Sequence, residues 1–192
     1  MTGPNLRPGK VYRTEYFRRF DRNPTRFASK LVKRGELQQL RKGLYHAPRP
    51  SAFGAVPPTE AALLSAFFRG RPYLRTGPSV WNSLGLGTTG VEAVPLVYST
   101  TQTGEVELGG RRFEFRRVSF PSRPALEYFV VDLLENTERA GVDRKTIQDA
   151  LSRAVAAGRF DPERLITMAQ RYGTRATEEV VEAAIQAEQE AA

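Results

Sequence analysis

Pro24-Thr25-Arg26-Phe27-Ala28-Ser29-Lys30-Leu31-Val32-Lys33-Arg34-Gly35 is the stretch on which the fold turns. Pro24 suits the first position of a helix, and Phe27, Ala28, Leu31 and Val32 fall at the spacing of a buried stripe. Arg26, Ser29, Lys30 and Lys33 point elsewhere, and Gly35 ends the helix just beyond its C-cap. Upstream, Thr14 is expected to cap a short helix over Glu15–Phe20, with Asp21-Arg22-Asn23 as the turn between the two helices. Downstream, Glu36–Leu40 and Gly43–Ala47 alternate around Arg41-Lys42 and predict a two-stranded hairpin. Helix, turn, helix, basic-tipped hairpin is the order of a winged helix-turn-helix. The first helix that such modules usually carry would have to come from Met1–Val11, where Pro4, Pro8 and Gly9 make a poor helix.

Charge singles out the same segment. Residues 1–50 hold thirteen Lys or Arg against Glu15, Asp21 and Glu36, a net +10, whereas the rest of the chain carries −2, so the total of +8 arises in the first quarter. A segment that neutralises phosphates has this distribution, and so does a solvated basic surface. The chain has no Cys and a single His, His46. Disulfides, thiolate metal sites, Cys nucleophiles and multi-His centres are thereby excluded, and no cofactor or metal is expected. No apolar run reaches the eighteen or so residues of a membrane span, and Met1–Lys10 lacks the apolar run of a secretory signal, so a cytoplasmic protein with no membrane partner is expected.

Beyond the hairpin, Pro48–Pro58 reads as a linker with a boundary near residue 56. This predicts a winged helix-turn-helix over 1–50 and a mixed α+β domain over 56–192. Thr59-Glu60 starts an apolar helix through Phe68, and Ser79–Leu84 suggests another. Val94–Thr100, Glu105–Leu108 and Arg112–Val118 are strand candidates, the last two joined through Gly109-Gly110. From Pro124 the period turns helical, with four helices expected; Asp143, Asp161 and Thr174 cap the last three. The Ala/Glu-rich tail Glu178–Ala192 either frays or forms a partner-binding helix.

Several groups invite chemistry. In a helix-turn-helix the second helix enters the major groove, which makes Thr25, Arg26, Ser29, Lys30, Lys33 and Arg34 the candidate contacts. Arg26, able to fork onto a guanine, is the preferred base reader, and Lys30, Lys33 and Arg34 are expected on the backbone. Arg41 and Lys42 at the hairpin tip would lie along the adjacent backbone or minor groove. His46 either meets a phosphate or simply ends a strand. Trp81 reads as core. Gly85–Gly90 has GxGxxG spacing but precedes a strand, a weak phosphate loop. Glu105, Glu107 and Glu114 alternate with Arg as a solvent-facing hairpin does more often than a metal site. Asp132 and Glu135 form the one tempting carboxylate pair for a nuclease, although Leu133 and Leu134 between them suggest an ordinary amphipathic helix.

Two blocks carry a family resemblance: Leu31-Val32-Lys33-Arg34-Gly35-Glu36-Leu37 with Arg41-Lys42-Gly43-Leu44-Tyr45, and Gly77-Pro78-Ser79 with Trp81-Asn82-Ser83-Leu84-Gly85-Leu86. Over residues 9–120 the chain resembles the AbiEi-type antitoxins of abortive-infection toxin–antitoxin systems and related domains of unknown function. The resemblance implies a non-enzymatic repressor whose N-terminal domain binds duplex DNA in its own promoter, through Arg26, Ser29, Lys30, Lys33, Arg41 and Lys42. It also implies a C-terminal domain that counters a nucleotidyltransferase-like toxin. Two other classes stay open: an interaction module whose basic domain binds RNA or an acidic protein, and a metal-dependent nuclease using Asp132.

Overall fold

The computed structural model describes residues 3–189. The fold is mixed α+β with a helical C-terminal segment. The chain divides into two compact units, Met1–Pro72 with Glu105–Phe113, and Tyr73–Gly104 with Glu114–Ala192.

In the first unit, β1 (Val11–Arg13) leads into a 3₁₀ helix (Thr14–Arg19), then α1 (Pro24–Lys33) and the hairpin of β2 (Gln38–Arg41) and β3 (Leu44–His46). The three strands form an antiparallel sheet in the order β1-β3-β2. Thr14 is inside the 3₁₀ helix and does not cap it; Arg13 is the N-cap residue and makes no capping bond. With Thr14 drawn into the turn directly after a strand, the segment winds tightly and is spent within six residues. Its Phe17 is fully buried among Tyr12, Ala28, Leu31, Leu37, Tyr45 and Ala47. Aromatic rings dominate this core: Tyr12, Tyr16, Phe17, Phe20, Phe27 and Tyr45 meet with centroids 4.7–6.2 Å apart.

Pro48–Pro58 is not a plain linker. It carries β4 (Arg49–Ser51) and β5 (Gly54–Val56), an antiparallel hairpin of their own. Next, α2 (Glu60–Phe68) starts at Thr59, whose hydroxyl accepts from the Ala62 amide at 3.2 Å. Arg13 donates to the Ala66 carbonyl at 2.9 Å, and Arg69 pairs with Glu15 at 3.0 Å, so α2 is tied to β1 and the 3₁₀ helix. The turn at Gly109-Gly110 lies on β2: the Gly109 amide donates to the Leu40 carbonyl at 3.3 Å, and a Cβ at Gly109 would meet Leu40 at 2.9 Å. Residues 3–10 form no helix, and α2 and this turn both belong to the first unit. Both fall within the span 56–192 that the sequence assigned to the second domain.

A four-stranded sheet has the order β6-β7-β9-β8, formed by β6 (Tyr73–Thr76), β7 (Leu96–Ser99), β8 (Gly104–Leu108) and β9 (Arg111–Arg117). In the second unit β6 pairs antiparallel and β9 parallel with β7. The helices of this unit are α3 (Pro78–Asn82), α4 (Leu126–Leu134), α5 (Thr137–Ala140), α6 (Arg144–Ala156), α7 (Pro162–Tyr172) and α8 (Arg175–Gln189). Among the described residues the helical end therefore has five helices where four were expected, because Gly141 in the left-handed region closes a single extra turn at α5. Asp143 caps α6 and Asp161 caps α7 through their carboxylates. Helix α4 is buried nearly all round, and its Val130, Val131, Leu133 and Leu134 join Trp81, Leu84, Leu86, Ile147, Leu151, Leu165 and Val181 in one core. In the acidic tail, α8 buries Val181, Ala184 and Ile185, and the tail reading beyond Gln189 lies outside the described residues. Among the described residues no helix is long and apolar enough to cross a membrane.

Candidate nucleic-acid interface

Helix α1 is set by its ends. Asn23 accepts from the Arg26 amide at 3.0 Å, its own amide donates to Asp21 at 2.7 Å, and Pro24 begins the first turn. At the other end Gly35 takes φ +75°, a conformation costly for a residue with a Cβ. Replacing Asn23 with Ala removes the cap; a loss of about 1 kcal/mol of stability is expected, read from the urea midpoint.

At about 100° per residue, Phe27, Ala28, Leu31 and Val32 lie on one side of α1 and Thr25, Arg26, Ser29, Lys30 and Lys33 on the other. The structure follows this division: Ala28 and Leu31 are buried, Phe27 and Val32 half-buried, and the five polar residues exposed. Arg34 is the exposed C-cap residue, 3.8 Å from Glu36. Arg41 ends β2 and Lys42 occupies the tight turn before Gly43, both exposed. Thus the eight expected residues sit on one helix and the neighbouring hairpin turn.

Their side chains are not equally available. Arg26, Lys30, Lys33 and Lys42 make no side-chain hydrogen bond or ion pair among the described residues. The Ser29 hydroxyl donates to the Thr25 carbonyl at 3.0 Å, so its proton is held inside the helix. The Arg41 guanidinium lies over the Phe67 ring of α2 at 5.8 Å, which keeps the charge but restricts its swing. One cation outside the expected set belongs with them. A cleft of about 490 Å³ runs beside α1, lined by the apolar Phe20, Phe27 and Leu31, the cations Arg19, Lys30 and Arg34, and Asp21. Arg19 stands over the Tyr16 ring at 4.3 Å; the Arg18-Arg19 pair just ahead of the turn was the signal for it.

His46 is fully buried, which rules out a phosphate contact. Neither ring nitrogen has a hydrogen-bond partner, and burial lowers its pKa, keeping the ring neutral.

The other candidates lie in the second unit or on the β8–β9 hairpin. Asp132 is 4% exposed and accepts hydrogen bonds from Thr76, from Trp81 Nε1 at 2.8 Å and from the Tyr98 hydroxyl at 2.7 Å. Burial raises its pKa, against the pull of those bonds. Burial would also raise Glu135, but bonds from Thr177 and Thr174 outweigh it and hold that carboxyl below its ordinary range. Asp132 and Glu135 line a cavity of about 230 Å³ with Tyr98, Arg116, Tyr128 and Asn136, yet each is engaged in holding its own surroundings. The loop at Gly85–Gly90 leads into no helix. Arg159 donates to the Leu84 carbonyl, a Cβ at Gly90 would come within 3.2 Å of the Ala140 carbonyl, and Gly85 and Gly87 take φ +66° and +82°, so packing and backbone conformation account for these glycines. Glu105 pairs with Arg112 at 3.9 Å and Glu114 with Arg116 and Arg139. Among the described residues no group of three or more His, Asp or Glu is placed to hold a metal ion.

The chain matches no family model and no curated protein. Among solved structures it is similar to the RV2827C protein from Mycobacterium tuberculosis, with a TM-score of 0.51 and 14% identity over 94% of this chain and 75% of that one. That likeness is one of fold.

Proposed function

We propose that this protein is a DNA-binding transcriptional repressor, cytoplasmic and non-enzymatic, whose first unit works as a winged helix-turn-helix. The observation that carries the reading is α1: a capped helix with one face buried and the opposite face presenting Arg26, Lys30 and Lys33, which have no side-chain hydrogen bond or ion pair among the described residues. A side chain held in an ion pair must break it before reaching DNA; these need not. The strand order β1-β3-β2, with Lys42 at the β2–β3 turn, supports a wing beside that helix. In this reading Arg26 reads a base edge, and Lys30, Lys33, Arg34, Arg41 and Lys42 neutralise phosphates.

From the resemblance to AbiEi-type antitoxins we further propose that the repressor controls its own promoter and that the second unit counters a nucleotidyltransferase-like toxin. A toxin of that kind encoded beside it would support this half, and its absence would leave the DNA-binding half alone. The internal engagement of Asp132 and Glu135 speaks for a binding protein over a nuclease. Competition by single-stranded RNA for a labelled duplex separates the remaining rival: RNA should compete poorly at equal salt, and equal competition would point to an RNA-binding module.

A further inference from the structure

The β4–β5 hairpin follows the wing at once and ends in Ala52-Phe53, a two-residue turn between the paired Ser51 and Gly54. Turn tips usually carry Gly, Asn, Asp, Ser or Pro, because those residues make the turn. Here the tip carries Phe53, at 102% exposure as open to solvent as in an extended chain. The turn is nevertheless fastened: the Ser51 hydroxyl donates to the Gly54 carbonyl at 2.7 Å and accepts from the Phe53 amide at 3.2 Å. Pro48, Pro50, Pro57 and Pro58 stiffen the arms. A cleft of about 400 Å³ is lined by Gly35, at the end of α1, and by Pro48, Pro50, Ser51, Gly54 and Ala55. The hairpin therefore stands beside the helix end that bears Lys33 and Arg34, and its own Arg49 is exposed.

A rigid arm with a bare aromatic tip, flanked by cations, has the chemistry of a wedge for stacked bases: the ring finds apolar surface between base pairs while the cations hold adjoining phosphates. An acidic protein would satisfy the cations but offers no reason for the ring at the tip. Resting on the DNA-binding reading above, we propose that Phe53 inserts between two base pairs of bound duplex from the minor-groove side. Arg49, Lys33 and Arg34 fix the backbone around it, and the protein bends its DNA.

The test uses the full chain and a short duplex of its upstream DNA, end-labelled for energy transfer and carrying the fluorescent adenine analogue aminopurine at successive positions. Wild type should bend the duplex by about 20–90° and brighten aminopurine at one step. Phe53→Ala should bind about tenfold more weakly and lose both signals, with an unchanged melting temperature, whereas Phe53→Leu keeps the bend. If Phe53→Ala binds and bends like wild type while Arg26→Ala still weakens binding, the wedge is wrong and the DNA reader stands. If wild type binds no duplex at all, the DNA reading falls and the wedge with it.

Discussion

Affinity for duplex DNA is expected to fall about 500-fold between about 50 and about 200 mM salt, with a slope near −4.5 in log affinity against log salt. Five cations of the helix and hairpin turn, Lys30, Lys33, Arg34, Arg41 and Lys42, are assigned to phosphates in this figure, and Arg49 of the β4–β5 arm would steepen the slope by about 0.9 more. Each phosphate neutralised releases condensed counterions, and the slope counts them at about 0.9 apiece in B-form DNA. Lys42→Ala should lower the slope by about one and weaken binding to specific and scrambled duplex alike, since a backbone contact carries no sequence information. Anisotropy titrations across a salt series measure both. A slope near zero would mean that the basic face meets no phosphate and that the net +10 of residues 1–50 serves only solubility.

Asp132→Ala is expected to cost about 3–5 kcal/mol of folding stability while leaving the basic face untouched. The substitution removes the acceptor of the Trp81 indole, the Tyr98 hydroxyl and the Thr76 hydroxyl in the second unit, and ends a longer bond from Asn136 Nδ2 at 3.3 Å. The hydroxyls can turn toward other acceptors, but the indole N–H of fully buried Trp81 is fixed by its ring. Asp132 also imprints a pH dependence. Its pKa is raised by burial above the ordinary 3.8, so the stability it contributes is complete below that value and is lost as pH rises through the raised folded value. Glu135 acts oppositely: its pKa is lowered, so its contribution is present above 4.5 and is lost as pH falls through the folded value. Comparing wild type with Asp132→Asn isolates the first effect. On acidification from neutrality, wild type should gain stability relative to the variant; a gap that stays constant with pH would show that Asp132 titrates as in water.

How much of this was legible in the sequence depends on how local each element is. Helix α1 declared itself, because the proline, the apolar stripe and the closing glycine all lie within twelve residues and agree. The expected contacts from Thr25 to Lys42 share one region for the same reason. Strand β6 went unseen, since Tyr73–Thr76 is too short to show a period between Pro72 and Gly77. The β4–β5 hairpin was hidden in a proline-rich stretch; what closes it is the Ser51 hydroxyl acting on its own turn, a bond that composition does not advertise. Thr14 looked like a cap because caps and helix-interior threonines share a residue type and differ only in backbone angle. Trp81 was readable as core, but its hydrogen bond to Asp132 spans 51 residues and needed the fold. The same distance effect made Asp132 and Glu135 tempting as a catalytic pair: neighbours on one helix, they serve separate networks, Asp132 with Thr76, Trp81 and Tyr98, Glu135 with Thr174 and Thr177.

Fluorescence anisotropy of wild type and Arg26→Ala on the protein's own upstream DNA and on a scrambled duplex, at one salt concentration, tests the central claim most directly. Wild type should prefer the upstream sequence, and Arg26→Ala should lose about 1–3 kcal/mol of affinity on that sequence with little change on the scrambled one. Equal weak binding to both duplexes, unaltered by the substitution, would contradict it.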